Sequence, residues 1–355
     1  MSAATDGLSY CGTADGVRLA MRTLGRGPVI VKAANWLGNV QADATLAATR
    51  HWVDHLTRDH TLVWYDARGC GLSDRDVDDI TLDAWVRDLE AVADASGQQR
   101  FVLLGISQGA AIAIRYAVRH PERVRGLVLY ASFVRGAFRQ GLSARTQALF
   151  REMVRLAELG WGHDASAFRR LFSANLLADA PAEVLDAYDA LHRQSVSGPM
   201  AARYMEAFFD LDARVDAPQV RCPTLVMHVT GDPMILVREG ELVASLIPGA
   251  RWVPLPGRNH LPLATDACWP VIQREVAAFL ATLAADGGQP PPQLTDRQRE
   301  VLAQVARGLG DKEIARALQL SPRTVEMHVA RALAALGARN RSEAVSRALH
   351  WKLLP

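Results

Sequence analysis

Three residues with the chemistry of a nucleophile, an acid and a base stand far apart in the chain: Ser107, Asp232 and His260. Ser107 lies in Gly105-Ile106-Ser107-Gln108-Gly109. Ahead of it, the apolar run Phe101 to Leu104 reads as a buried parallel strand. Behind it, Ala110-Ala111-Ile112-Ala113-Ile114 reads as a helix whose small residues permit close approach to a sheet. The turn between them is too sharp to admit a Cβ beside the serine, which accounts for the flanking glycines. A strand, tight turn and helix in this order present a serine hydroxyl as a nucleophile. That hydroxyl needs a base, and His260, in Pro256-Gly257-Arg258-Asn259-His260, is placed to take its proton. Asp232, after Thr230-Gly231, would orient the imidazole and stabilise its cation. Both follow predicted strands, and loops at the ends of parallel strands open on one edge of the sheet. Asp210, Asp212 and Asp216 are weaker candidates for the acid, because none directly follows a predicted strand.

Attack on an acyl carbon also requires donors for the developing oxyanion. The amide of Gln108 is one candidate, and the loop after the third strand, with Asn35 and Trp36, supplies the other. Many enzymes with this elbow carry His-Gly there; this chain has Ala34-Asn35 before Trp36. The loop retains amides, and the Asn35 side chain is a further donor. The triad residues alone therefore leave turnover open.

The elements that must position these residues follow from periodicity. Residues 8–24 alternate around Thr13-Ala14-Asp15-Gly16, a hairpin signal. Strands are predicted at 28–34, 61–65, 124–130, 223–229 and 251–255, besides the strand before Ser107. Helices at 46–56, 82–95 and 240–246 alternate with them, implying an α/β fold with helices on both faces of a parallel sheet. From 133 to 216 the strand pattern stops, and four amphipathic helices (144–159, 165–177, 182–194, 199–211) read as a lid over a pocket. Most of its aromatics (Trp161, Phe168, Phe172, Tyr188, Tyr204, Phe208, Phe209) are expected to pack lid against body, with a minority lining a cavity. Residues 286–293, DGGQPPPQ, form a Gly/Pro linker between domains at 1–285 and 294–355.

Residues 8 to 283 resemble the α/β-hydrolase superfamily through GISQG, the loop DARGCGLSDR, GDP at Asp232 and GRNH at His260. KAANWLGN further resembles hydrolase-like domains fused to bacterial regulatory modules. The resemblance implies an α/β-hydrolase fold with a helical lid, and a serine-esterase type of chemistry.

The tail has a separate character. Residues 296–355 hold 11 Lys/Arg and 6 Asp/Glu, whereas the rest of the chain is slightly acidic, so a polyanion partner is expected for the tail only. Thr295 is a candidate cap for one helix, a second runs from 311 to 318, and Ser321-Pro322 starts a third. Val325, Val329, Ala332, Leu333 and Leu336 make that helix's apolar stripe, and Gly337 ends it; a fourth covers 342–351. The motifs here, LTDRQREVL, KEIARAL, LSPRTVEMH and LGARNRSEAV, resemble the LuxR-type helix-turn-helix. The resemblance implies a four-helix unit whose third helix enters the major groove of double-stranded DNA. Arg323, Thr324, Glu326 and Arg331 are then candidates for base edges, with Ser321 at the helix start and Lys312 and His328 at phosphates. LuxR-type helices often carry Lys at position 326; Glu326 accepts from a cytosine amine or is a solvated helix residue.

No charged, apolar leader opens the chain and no apolar run has the length of a membrane span. Cys11, Cys70, Cys222 and Cys268 are widely spaced, as reduced thiols in a cytoplasm would be. His51 and His55, in HWVDH, lack the glutamate of a zinc motif and are read as structural; no metal or cofactor is expected. The sequence thus points to a cytoplasmic regulator, homodimeric because such DNA-binding units occupy paired half-sites, with a small ester, lactone or similar apolar ligand. A serine esterase or lactonase with an accessory DNA-binding domain is the rival, and a receptor without catalysis a third reading.

Overall fold

The computed structural model describes residues 7–163, 167–285, 294–338, 340–350 and 353–354. The linker expected at 286–293 lies outside the described residues. The chain divides into two compact units, Met1–Ala284 and Ala285–Pro355.

In the first unit, β1 (Leu8–Gly12) and β2 (Arg18–Gly25) form the expected hairpin, followed by β3 (Val29–Lys32), α1 (Arg50–Leu56), β4 (Thr61–Tyr65) and α2 (Leu82–Ala95). Then come β5 (Phe101–Ile106), α3 (Gly109–Arg119) and β6 (Val124–Tyr130). Four helices interrupt the alternation: α4 (Ala144–Gly160), α5 (Ala167–Leu176), α6 (Ala182–Ser195) and α7 (Gly198–Asp210). The sheet resumes with β7 (Thr224–Val229), α8 (Val237–Leu246), β8 (Arg251–Leu255) and α9 (Trp269–Ala285). The strand order is β1-β2-β4-β3-β5-β6-β7-β8, antiparallel through β1, β2 and β4 and parallel from β4 to β8. Every residue of β5 and of β7 is buried, as continuous apolar runs covered on both faces must be.

Two boundaries differ from the periodicity. The helix expected from Leu46 begins at Arg50, because Thr49 turns its hydroxyl back to donate to the Asp43 carbonyl (2.9 Å) and holds residues 43–49 as turns. The strand expected to reach Ala34 ends at Lys32, whose side chain bonds into the loop that follows. The loop DARGCGLSDR after β4 is tied down by one cation. Arg68, 1% exposed, donates to Asp88 of α2 (2.9 and 2.8 Å) and to Asp15 of the hairpin turn (2.8 and 3.0 Å). A buried guanidinium shared by two carboxylates links three segments; losing Arg68 would leave the buried Asp88 carboxylate uncompensated, at about 3–5 kcal/mol.

The second unit holds α10 (Asp296–Ala306), α11 (Asp311–Ala317), α12 (Pro322–Leu336) and α13 (Arg341–His350). Thr295 and Gln298 close a reciprocal capping box at the start of α10. Val301, Ile314, Ala315, Val325 and Val329 form one apolar cluster, and Leu294, Leu302, Ala332, Leu336, Ala344 and Ala348 another.

Candidate functional site

Ser107 follows β5 with φ +52°, a left-handed conformation that costs a non-glycine residue about 1–3 kcal/mol and persists only where its surroundings enforce it. Its amide donates to Tyr130 of the neighbouring strand (2.9 Å). The two glycines have different jobs. A Cβ on Gly105 would lie 2.6 Å from the Ala110 Cα, so this glycine lets α3 fold back on β5. A Cβ on Gly109 would press on the carbonyls of Ala34 and Ala33 at 3.0 and 3.1 Å, so this one lets the loop after β3 approach.

Asp232 follows β7 and His260 follows β8, as the spacing predicts. His260 Nδ1 lies 2.6 Å from Asp232 Oδ2, and both side chains are buried. The other carboxylate oxygen accepts the amides of Met234 (2.8 Å) and Ile235 (3.0 Å). Burial would raise the Asp232 pKa, but the His260 charge and the hydrogen bonds of His228, His260 and the Ile235 amide win and hold it below the usual carboxylate range. An ionised acid at Nδ1 leaves Nε2 as the basic nitrogen. His260 Nε2 is buried without a hydrogen-bond partner, so acid and base are joined while the serine–histidine contact is not closed. Such contacts tighten when substrate binds. The alternative acids are engaged elsewhere: Asp210 with Arg139, Asp212 with Arg214 and Asp216 with Arg115.

His228 was not singled out by sequence. It is buried on β7, four residues before Asp232, with Nε2 2.8 Å from the Ile235 carbonyl and 3.3 Å from Asp232 Oδ2. A Cβ on Gly240 would lie 2.4 Å from its Nδ1, so α8 packs directly on the ring. A lone histidine in an apolar strand just ahead of the acid was the available signal.

Gln108 is the N-cap of α3, so its amide belongs to the set of helix-start donors without an intrahelical partner. Its buried side-chain Oε1 has no partner either. Asn35 Oδ1 accepts from Lys32 Nζ (2.6 Å). Lysine only donates, so the carbonyl end of Asn35 faces Lys32 and its amide end faces away. The Trp36 ring turns away from the loop into the helical cap formed by α4–α7, stacked on Phe172 (6.1 Å, 18°) and edge-on to Trp161, His192 and Phe208. Only its backbone is left for an oxyanion. Beneath the loop lies a charged cluster that sequence did not reveal. Burial lowers the Lys32 pKa and raises that of Asp43, and it pushes Asp66, which accepts the amides of Val40 and Leu72, up to about 7.

Two cavities flank the triad. One of about 50 Å³ is walled by Ile106, Leu261, Lys32, Asn35, Trp36 and Tyr188, among others. The other, about 350 Å³, lies between the cap and the loop behind Asp232, with Phe172, Phe208 and Phe209 in its wall. Neither is lined by Ser107 or His260. Among the described residues no cluster of three or more metal-ligating side chains occurs, and His51 and His55 set their rings edge-on to Trp269.

In the second unit, the Ser321 hydroxyl accepts the Thr324 amide (3.1 Å), and Pro322 occupies the first turn of α12. Gly337, φ +61°, ends the helix. Val325, Val329, Ala332 and Leu336 face the core, with Leu333 half-buried. The opposite side exposes Ser321, Arg323, Glu326 and Arg331, and Lys312 of α11 is exposed; Thr324 and His328 are half-buried. Arg341 grips Asp311 with two 2.7 Å bonds, pinning α13 to α11, and Glu326 adds its charge to that arginine's environment. This pair was also invisible in the sequence.

Residues 44–267 match the family described as alpha/beta hydrolase fold, and residues 292–348 match bacterial regulatory proteins of the luxR family. The chain is 30% identical over 279 residues to the polyketide synthase ThaQ of Burkholderia thailandensis, covering 75% of this chain but only 12% of that protein. It is 31% identical over 243 residues to the 2-hydroxymuconate semialdehyde hydrolase of a Pseudomonas species, covering 64% of this chain and 75% of that one. A solved hydrolase from Pseudomonas aeruginosa superposes with a TM-score of 0.64 at 26% identity, covering 78% of this chain and 99% of that one. The chain belongs to the α/β-hydrolase fold family and carries, behind its hydrolase domain, a LuxR-family helix-turn-helix domain.

Proposed function

We propose that the protein is a DNA-binding transcription regulator whose α/β-hydrolase domain senses, and hydrolyses where turnover is retained, a small ester, lactone or similar apolar ligand. The observation that carries this reading is the union in one chain of a capped hydrolase domain with a LuxR-family domain. The exposed side of α12, with Arg323, Glu326 and Arg331 and with Lys312 nearby in sequence on α11, is of the kind that meets base edges and phosphates. Ligand binding must then favour one state of the protein over another, since only differential affinity shifts an equilibrium. The proposed assembly is a homodimer on paired half-sites, in the cytoplasm.

A second reading, a serine esterase or lactonase with an accessory DNA-binding domain, is favoured by the 2.6 Å His260–Asp232 contact and the left-handed Ser107. One pair of assays on the full-length chain separates them: affinity for duplex DNA at about 50 mM salt, and hydrolysis of p-nitrophenyl butyrate. The regulator reading expects DNA binding that changes with ligand. No binding to DNA at low salt ends it. Turnover lost in Ser107→Ala, with DNA affinity indifferent to ester or lactone, selects the enzyme.

A further inference from the structure

The cavity between the cap and the loop behind Asp232 is distinct in its lining from the triad, and its two ends differ chemically. Its floor is apolar, built by Phe133, Phe150, Met153, Phe208 and Phe209. Its other end carries two guanidinium groups and one carboxylate. Arg135 donates through Nε and Nη2 to Glu239 (3.0 and 3.1 Å), whose side chain is only 3% exposed. That pair is matched in charge. Arg238, on the same wall and largely exposed, stands 3.7 Å from the same carboxylate and leaves the end with one positive charge in excess. At ~30 Å³ per water-sized group, 350 Å³ holds roughly a dozen non-hydrogen atoms, within the usual range of small-molecule sites.

We propose that this cavity is a separate binding site for an apolar monocarboxylate of about a dozen non-hydrogen atoms, its chain on the aromatic floor and its carboxylate at Arg238. The assignment deepens the ligand-sensing reading and rests on it for its consequence. The walls give that consequence a route. Pro233 to Leu236 line the cavity, and the amides of Met234 and Ile235 hold the Asp232 carboxylate. Phe172 and Phe208 line it too, and the same two rings clamp Trp36 of the loop after β3. A bound carboxylate therefore presses on the supports of the acid and of the oxyanion loop together, without touching Ser107.

The test is calorimetric titration of the full-length protein with decanoate and with 1-decanol, which share a chain and differ in charge. Decanoate is expected to bind about tenfold tighter than the alcohol, and Arg238→Gln, at an exposed position, to erase that difference. Met153→Trp fills the floor and is expected to remove binding of both. Leu171→Trp, at a half-exposed position on the rim, does the same with less demand on the core. No decanoate binding, equal affinity for the two probes, or unchanged affinity in both tryptophan variants overturns the site. Decanoate binding that leaves DNA affinity unaltered keeps the site and removes its sensing role. A DNA response to an ester in a chain that ignores decanoate does the reverse.

Discussion

At the scale of single residues, the arrangement around Asp232 bears directly on the proposed triad. Its carboxylate is held ionised in a buried setting by two histidines and two amides, so it fixes the His260 ring rather than sharing its proton. Replacing the acid by an amide keeps the shape but offers the ring the wrong partner. On the catalytic arm of the function, Asp232→Asn is expected to lower kcat for p-nitrophenyl butyrate by about 10⁴-fold, with little change in KM. A loss below about tenfold would mean that another carboxylate orients His260, against the ion pairs that engage Asp210, Asp212 and Asp216.

At the scale of elements, the cap is the part whose stability should respond to pH. His192, on α6, is buried against Trp36, Trp161 and Tyr188, and neither ring nitrogen has a hydrogen-bond partner. Burial, helped by the positive charge of Arg169, drives its pKa from 6.5 down to about 3. The folded protein thus holds the neutral ring while the unfolded chain protonates near pH 6.5. Above that pH the ring costs no stability, and as pH falls below it proton uptake by the unfolded chain destabilises the fold, by about 2 kcal/mol at pH 5. His192→Phe, similar in size and without a titrating nitrogen, should show a smaller drop in Tm between pH 7 and pH 5 than the native chain. Equal drops in both would place the acid sensitivity on His51, His55 and His60, whose pKa values burial also lowers.

At the scale of the whole molecule, two units with separate cores share one chain, and each is expected to answer its own measurement. Salt dependence reports phosphate contacts, because each neutralised phosphate releases counterions. Lys312→Ala should weaken DNA binding evenly across sequences and reduce the slope of log K against log salt by about one. Arg323→Ala, at the exposed start of α12, should instead cost about 1–3 kcal/mol on a preferred site and relax its sequence preference. If Lys312→Ala leaves the slope unchanged, that lysine does not meet the backbone. Neither substitution should alter the melting of the hydrolase unit.

What the sequence determined by itself were features written in local order. The apolar run, Gly105, Ser107 and Gly109 specify a strand, a tight turn and a helix because only glycines admit the close contacts on either side. Ser321-Pro322 and Gly337 bracket α12 because caps act within one turn. The places of Asp232 and His260 at strand ends were legible because both stand just past apolar runs that must be strands. The tertiary structure decided what depends on residues distant in the chain. Sequence placed Trp36 at the oxyanion loop, but cap residues more than a hundred positions later hold its ring. His228 gains its role only when α8 packs on it, and Arg341 when α11 brings Asp311 within 2.7 Å. The cluster of Lys32, Asp43 and Asp66 spans three segments of ordinary surface-type residues, and burial alone makes it unusual. Periodicity reports which face of an element is buried; which partner meets that face is settled only when the sheet closes and the cap folds over it.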